Sequence, residues 1–282
     1  MTAGCNALRS VMTCLPPRLT LLALVATLTG CGLFQPRPAT PDTPPAQRVT
    51  PFSSAQPGTQ LPAGWYVAAL PKFRKTTQYE LVDDGGTTVV HARASESNSG
   101  LAFNVDIDPR VFQVVRWRWK VLRPIDGADN TRRATDDSMA RVKFFFSGPV
   151  QTLPIGERVF FKQVKAMTGV EMPYATLDYS WGDGAPAGTA IVNTWTTRIR
   201  TILVRSGTDG MGGWVSEERD LYADYKAAFG EEPGRITQVV IQTDTDATSA
   251  TAEAWYGDIE FVEHNSRQVL HEPLPSWAYA PH

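Results

Sequence analysis

Val115-Arg116-Trp117-Arg118-Trp119-Lys120-Val121 alternates apolar and basic residues without a break. Successive side chains of a β-strand point to opposite faces, so this run buries Val115, Trp117, Trp119 and Val121 and sets Arg116, Arg118 and Lys120 on a wet or ligand-facing side. Strand-like runs recur around it at 79–83, 87–93, 101–107, 141–147, 176–181, 199–205, 236–243 and 252–261. Asp83-Asp84-Gly85-Gly86 joins two of them as a hairpin, and Asp126-Gly127, Gly182-Asp183-Gly184 and Ser206-Gly207 mark loops. Two stretches carry helical spacing instead: 157–167 through Phe160, Val164 and Met167, and 221–229 through Leu221, Tyr225, Ala228 and Phe229, with Gly230 as C-cap. Many strands with two short helices predict an all-β chain, an antiparallel β-sandwich of the jelly-roll type. The chain has no internal repeat and no strand-helix alternation, which excludes propellers, (β/α)8 barrels and doubly wound sheets.

The chain has 282 residues, 42% hydrophobic and 20% charged, a balance of neither a disordered protein nor a membrane-spanning bundle. It divides into a signal peptide at 1–30, a Cys and Pro-rich linker at 31–62, a sandwich domain at 63–265 and a tail at 266–282. Cys5, Cys14 and Cys31 are the only cysteines. Disulfides, cysteine-based zinc and thiol catalysis are therefore excluded from the domain. Removing Arg9 and Arg18 with the leader takes the net charge from −2 to −4, which does not suit a nucleic-acid binder.

Arg9 and Arg18 precede the apolar run Leu19 to Leu28, too short to span a bilayer but the right length for a secretory core. Leu28-Thr29-Gly30-Cys31 then resembles the lipobox of bacterial lipoproteins, which implies cleavage before Cys31, acylation of that residue and attachment to a membrane through the lipid. Gly32 after the Cys, by resemblance to Gram-negative lipoproteins, implies the outer membrane with the domain facing the periplasm. Pro36, Pro38, Pro41, Pro44, Pro45, Pro51, Pro57 and Pro62 read as an extended tether.

Several motifs occur in order: the Val115–Val121 strand, Gly127-Ala128-Asp129-Asn130, Asp136-Asp137 with Arg141, Tyr179-Ser180-Trp181-Gly182, the run from Gly213-Trp214 to Arg219-Asp220, Asp224-Tyr225-Lys226, Thr243-Asp244-Thr245-Asp246, and Trp255-Tyr256-Gly257-Asp258-Ile259. Over roughly 65–262 the set resembles an uncharacterised bacterial family, the domain of unknown function 3047. The resemblance implies architecture and no reaction. The closing Tyr256-Gly257-Asp258-Ile259 also resembles the last strand of galactose-binding-like sandwiches, which mostly bind ligands.

Three groups of residues are candidate sites. Asp136, Asp137 and Arg141 read either as a carboxylate pair steered by a guanidinium, suited to acid-base work on a glycoside, or as an ion pair that pins a loop. Asp244 and Asp246 lie two apart on one face and with Asp258 would ligate a structural Ca²⁺; the other reading is a metal-free acidic loop. Trp181 and Trp195 adjoin loops rich in Gly, Asp and Thr, where an aromatic face stacks on a sugar ring beside polar partners. No nucleophile elbow, phosphate loop, dinucleotide fingerprint or histidine pair is present, and no cofactor is implied apart from that Ca²⁺. The expectation is a non-catalytic, envelope-anchored module that binds a glycan or envelope polymer. The alternatives are a polysaccharide-active enzyme using Asp136, Asp137 or the Glu217/Glu218 pair, and a structural lipoprotein that docks onto protein.

Overall fold

The alternation that decides the fold is realised in the strand Val114–Val121, where Trp117 and Trp119 are buried and Arg116, Arg118 and Lys120 lie on the outer face. A computed structural model describes residues 48–69 and 75–263. Within them the strands are β1 (Trp65–Ala69), β2 (Gln78–Asp83), β3 (Thr88–Ser95), β4 (Ser99–Ile107), β5 (Val114–Val121) and β6 (Ser138–Phe146). After the helix α1 (Ile155–Thr168) follow β7 (Ala175–Gly182), β8 (Ala190–Val192), β9 (Ile199–Ser206) and β10 (Trp214–Asp220). Helix α2 (Leu221–Phe229), β11 (Ile236–Asp244) and β12 (Thr251–Val262) complete the order.

The strands form two sheets, ordered β1-β4-β11-β6-β7-β9-β8 and β10-β5-β12-β3-β2. All neighbours are antiparallel except β7 and β9, a departure from the purely antiparallel expectation. The chain leaves β7, reverses into β8 at the sheet edge and reverses again, so that β9 slots between them in the direction of β7.

Aromatic residues close the space between the sheets. Trp117 stacks on Tyr179 with centroids 5.2 Å apart, and Trp119 meets Trp181 at 5.9 Å. Burying such a side chain contributes about 1.5–3 kcal/mol, so these pairs do more for the sandwich than any surface contact. Trp181 is 0% exposed, and its indole N–H donates to the Gly207 carbonyl at 3.1 Å. That corrects its reading as an open sugar platform: Leu177, Tyr179 and Trp181 alternate onto the core face of β7.

The fold also begins earlier than the linker reading allows. Val49 and Phe52 are buried, and Phe52 packs 4.5 Å from Trp65, whose indole N–H donates to Thr50 O. Gly58 exchanges backbone bonds with Leu81. Scattered apolar residues in a proline-rich stretch dock where a composition-based reading sees only a tether. Cys31, the leader and the tail at 266–282 lie outside the described residues.

Both helices form. Asp220 caps α2 by accepting from Ala223 N, and Gly230 closes it in the left-handed region at φ 69°. Helix α1 runs two residues earlier than its apolar spacing suggests and buries only Phe161. Among the described residues no helix is long and apolar enough to cross a membrane.

Candidate functional site

Alternation along β6 and β7 sends Val142, Phe144, Leu177 and Tyr179 into the core and Arg141, Lys143, Asp178 and Ser180 to the outer face of the seven-stranded sheet. On that face the loop 130–137 acts as a roof. Asn130 fastens it: its amide donates to Asp136 Oδ1, the Asp137 carbonyl and Ser138 Oγ, and its own oxygen accepts from Asp183 N at 2.8 Å. Gly182 leaves room for this, since a Cβ there would lie 1.9 Å from Asn130 Oδ1.

Beneath the roof Arg141 is a buried hub. Its guanidinium reaches Asp136 at 2.7 Å, Asp178 at 3.2 Å and Asp244 at 3.4 Å, while Lys143 lies 3.7 Å from Asp178. Three carboxylates thus face two cations. Burial pushes the Asp244 carboxyl up to about 6, against the pull of Arg141 and Lys143. Burial also raises Asp136, but Arg141 and the Asn130 amide outweigh it and hold that carboxyl below its usual range. Desolvation opposes the charge on Arg141, yet the three acids keep its pKa well above the ordinary value.

A cleft of about 410 Å³ opens beside this hub, between the roof, β8 with the segment that follows it, and the β11–β12 loop. Asn98, Asn130, Asp136, Asn193 and Asp246 line it with polar groups, and Trp195 and Arg133 stand in its wall. Asn98 donates to Asp246 at 3.0 Å and accepts from Gln242 at 2.6 Å, which orients both groups toward the cleft wall. Trp195 is 55% exposed. The Arg133 guanidinium lies 3.5 Å from its ring centroid, and Phe160 of α1 stacks on it at 6.4 Å.

Of the sequence candidates, Trp195, Asp136 and Asp246 meet in this cleft, with Arg141 as the buried support of Asp136. Asp137 does not join them. It is 0% exposed and accepts from Ala247 N, Thr248 N and Thr248 Oγ1, so it ties the roof to the β11–β12 loop. Asp136, at the end of the turn Arg133–Thr135, is held by different partners, Asn130 and Arg141, which separates the two carboxylates. Glu217 and Glu218 diverge in the same way: Glu217 is buried against Arg205 and Trp119, and Glu218 pairs with Arg116.

The cation candidates regroup too. Asp258 accepts from Ser53 N and Ser53 Oγ, and Asp137 takes its place beside Asp244 and Asp246, each presenting an oxygen within 4.8 Å of the others. Three such oxygens suit a hard cation such as Ca²⁺. Protein donors already claim part of that capacity: Thr248 and Ala247 on Asp137, Asn98 on Asp246, and Ser138 N with Arg141 on Asp244. The residues that sequence reasoning passed over are Asn98, Asn130, Arg133 and Asn193. Only Asn130 carried a signal, as the end of the Gly127-Ala128-Asp129-Asn130 motif.

Two packed sheets with a polar, tryptophan-walled cleft over one outer face make this a β-sandwich protein. It belongs to the family described as Protein of unknown function (DUF3047), whose model matches residues 63–260. None of the curated proteins matches the chain. Among solved structures, the K2 cleaved adhesin domain of Lys-gingipain is similar at TM-score 0.35 and 11% identity, covering 76% of this chain and 97% of that one. An exo-beta-agarase matches at TM-score 0.30 and 10% identity, over 77% of this chain and 26% of that one. The cellulose induced protein Cip1 matches at TM-score 0.28 and 14% identity, over 70% and 90% of the two chains.

Proposed function

We propose that this chain is an envelope lipoprotein, anchored through acylated Cys31 at the periplasmic side of the outer membrane, whose sandwich binds a glycan or envelope polymer without turning it over. The observation that carries the binding reading is the cleft itself: an exposed tryptophan set among carboxylate, amide and hydroxyl groups. Sugar hydroxyls would meet Asp136, Asp246, Asn98 and Asn193, and a sugar C–H face would pack on the part of the Trp195 indole that Arg133 and Phe160 leave exposed. Arg133, exposed over the Trp195 ring, brings a guanidinium against a carboxylate or phosphate on the ligand. The burial of Asp137 leaves the Asp136/Asp137 pair unable to act together on one substrate, which favours binding over hydrolysis.

Stacking on one ring is modest, so useful retention needs a polymer that meets several copies or several subsites. Retardation on polysaccharide-containing gels tests the binding half: Trp195→Ala and Asp136→Asn are expected to run free of the polymer. Radiolabelled palmitate tests the anchor. It is expected to enter the wild-type chain and not Cys31→Ser, and label in the Ser variant would overturn the anchor.

A further inference from the structure

Helix α1 buries Phe161 and half-buries Glu157, Phe160, Val164 and Thr168 around it, which defines its inner side. Its outer side carries two strips. Ile155, Val159 and Ala166, spaced four and seven residues apart, fall on one line. Ile155 is 73% exposed and Val159 48%, and Met167, at 81%, lies about 100° further round the helix, beyond the exposed Gln163 and next to Phe160 and the exposed Trp195 stacked upon it. Arg158, Lys162 and Lys165, again four and three apart, form an exposed basic strip alongside. The acid of the first turn, Glu157, is turned inward and held by Thr196 and Thr197, so Glu171 beside Lys165 is the exposed acid next to these cations.

Single exposed apolar residues are ordinary, but a line of them flanked by cations has the form of a helix that lies in a lipid-water interface. We propose that α1 docks on an anionic phospholipid surface. Ile155, Val159 and Met167 enter the boundary between headgroups and acyl chains, and Arg158 and Lys162 meet the phosphates. The three cations against one exposed acid supply the charge complementarity. The contact needs neither an acylated Cys31 nor a glycan in the cleft, and with an acyl anchor it would hold the domain down on the bilayer by a second, weak attachment.

The test uses the full chain carrying Cys31→Ser, sedimented with vesicles of phosphatidylcholine alone or mixed with phosphatidylglycerol. Binding is expected to rise with phosphatidylglycerol and to weaken as salt is added. Ile155→Glu with Met167→Glu is expected to lower the partition coefficient about tenfold or more, and Arg158→Gln with Lys162→Gln to lower it only on the anionic vesicles. The leader is common to all these chains, so the differences report α1. All four side chains are exposed, and an unchanged melting temperature checks that the variants are folded. Equal binding of the double-Glu variant, or binding indifferent to phosphatidylglycerol, overturns the proposal. So does a dimer of the parent chain that Ile155→Glu dissolves in the absence of vesicle binding, which would assign the strip to a second copy.

Discussion

Arg141 Nε lies 3.4 Å from Asp244 Oδ1, and both side chains are buried beneath the loop that roofs the cleft. The guanidinium is shared with Asp136 and Asp178, and of the three acids only Asp178 has a second cation, Lys143 at 3.7 Å. This makes the hub asymmetric: the cation is indispensable, and the negative charge is in excess.

Replacing Arg141 by Met is therefore expected to destabilise the chain by about 3–5 kcal/mol, because it leaves buried carboxylates unpaired. Arg141→Lys is expected to rescue only part of this, since one ammonium cannot reach three acids in the directions that the planar fork reaches them. The midpoints of urea unfolding at pH 7 check both.

Asp244 gives the hub a pH dependence of known sign. Its folded pKa is raised to about 6 from an ordinary 3.8, so the folded state holds that proton more tightly than the unfolded chain does. The stability it contributes is complete below the ordinary value and is lost as pH rises through about 6. The unfolding free energy of the wild type minus that of Asp244→Asn should accordingly fall from pH 4 to pH 7, the variant gaining on the wild type, as read from urea titrations at each pH. Asp136 acts in the opposite sense, since a lowered carboxyl contributes stability above its ordinary range and loses it in acid. Comparing wild type with the variant isolates Asp244 from that background.

The two tryptophans should separate cleanly. Trp181→Ala removes a fully buried ring between the sheets and is expected to cost about 3–5 kcal/mol. Trp195→Ala, at a half-exposed site, is expected to shift stability by no more than about 0.5 kcal/mol apart from the lost Arg133 and Phe160 contacts. Thermal melts of the two variants side by side make the comparison.

The strands that were legible in the sequence carry large apolar residues in period two, as in β5, where Trp117 and Trp119 alternate with Arg118 and Lys120, and in β7, which is buried on both faces. Three strands were not. Trp65-Tyr66-Val67-Ala68-Ala69 has no alternation, β8 is three residues long, and β10 reads as polar because the acid that faces inward, Glu217, is neutralised by Arg205 from another strand. Long-range partners of that kind leave no local trace. Trp181 shows the opposite case, a signal that was present: the period-two series Leu177, Tyr179, Trp181 places it in the core, and the Gly182-Asp183-Gly184 loop beside it masks that. The cleft was half legible. Trp195, Asp136 and Asp246 were visible as residue types in loops, whereas Asn98 and Asn193 come from turns far apart in the chain and meet only through the sheet order.

The most direct test of cleft binding is affinity electrophoresis of the purified chain against a panel of neutral and acidic polysaccharides, run with Trp195→Ala, Asp136→Asn and Trp214→Ala, the last a tryptophan remote from the cleft. At least one polymer should retard the wild type and the Trp214 variant, and retardation should fall several-fold in the two cleft variants while their melts stay cooperative. Retardation by no polymer, or retardation that the Trp195 and Asp136 substitutions leave intact, would contradict the assignment of the cleft as a glycan site.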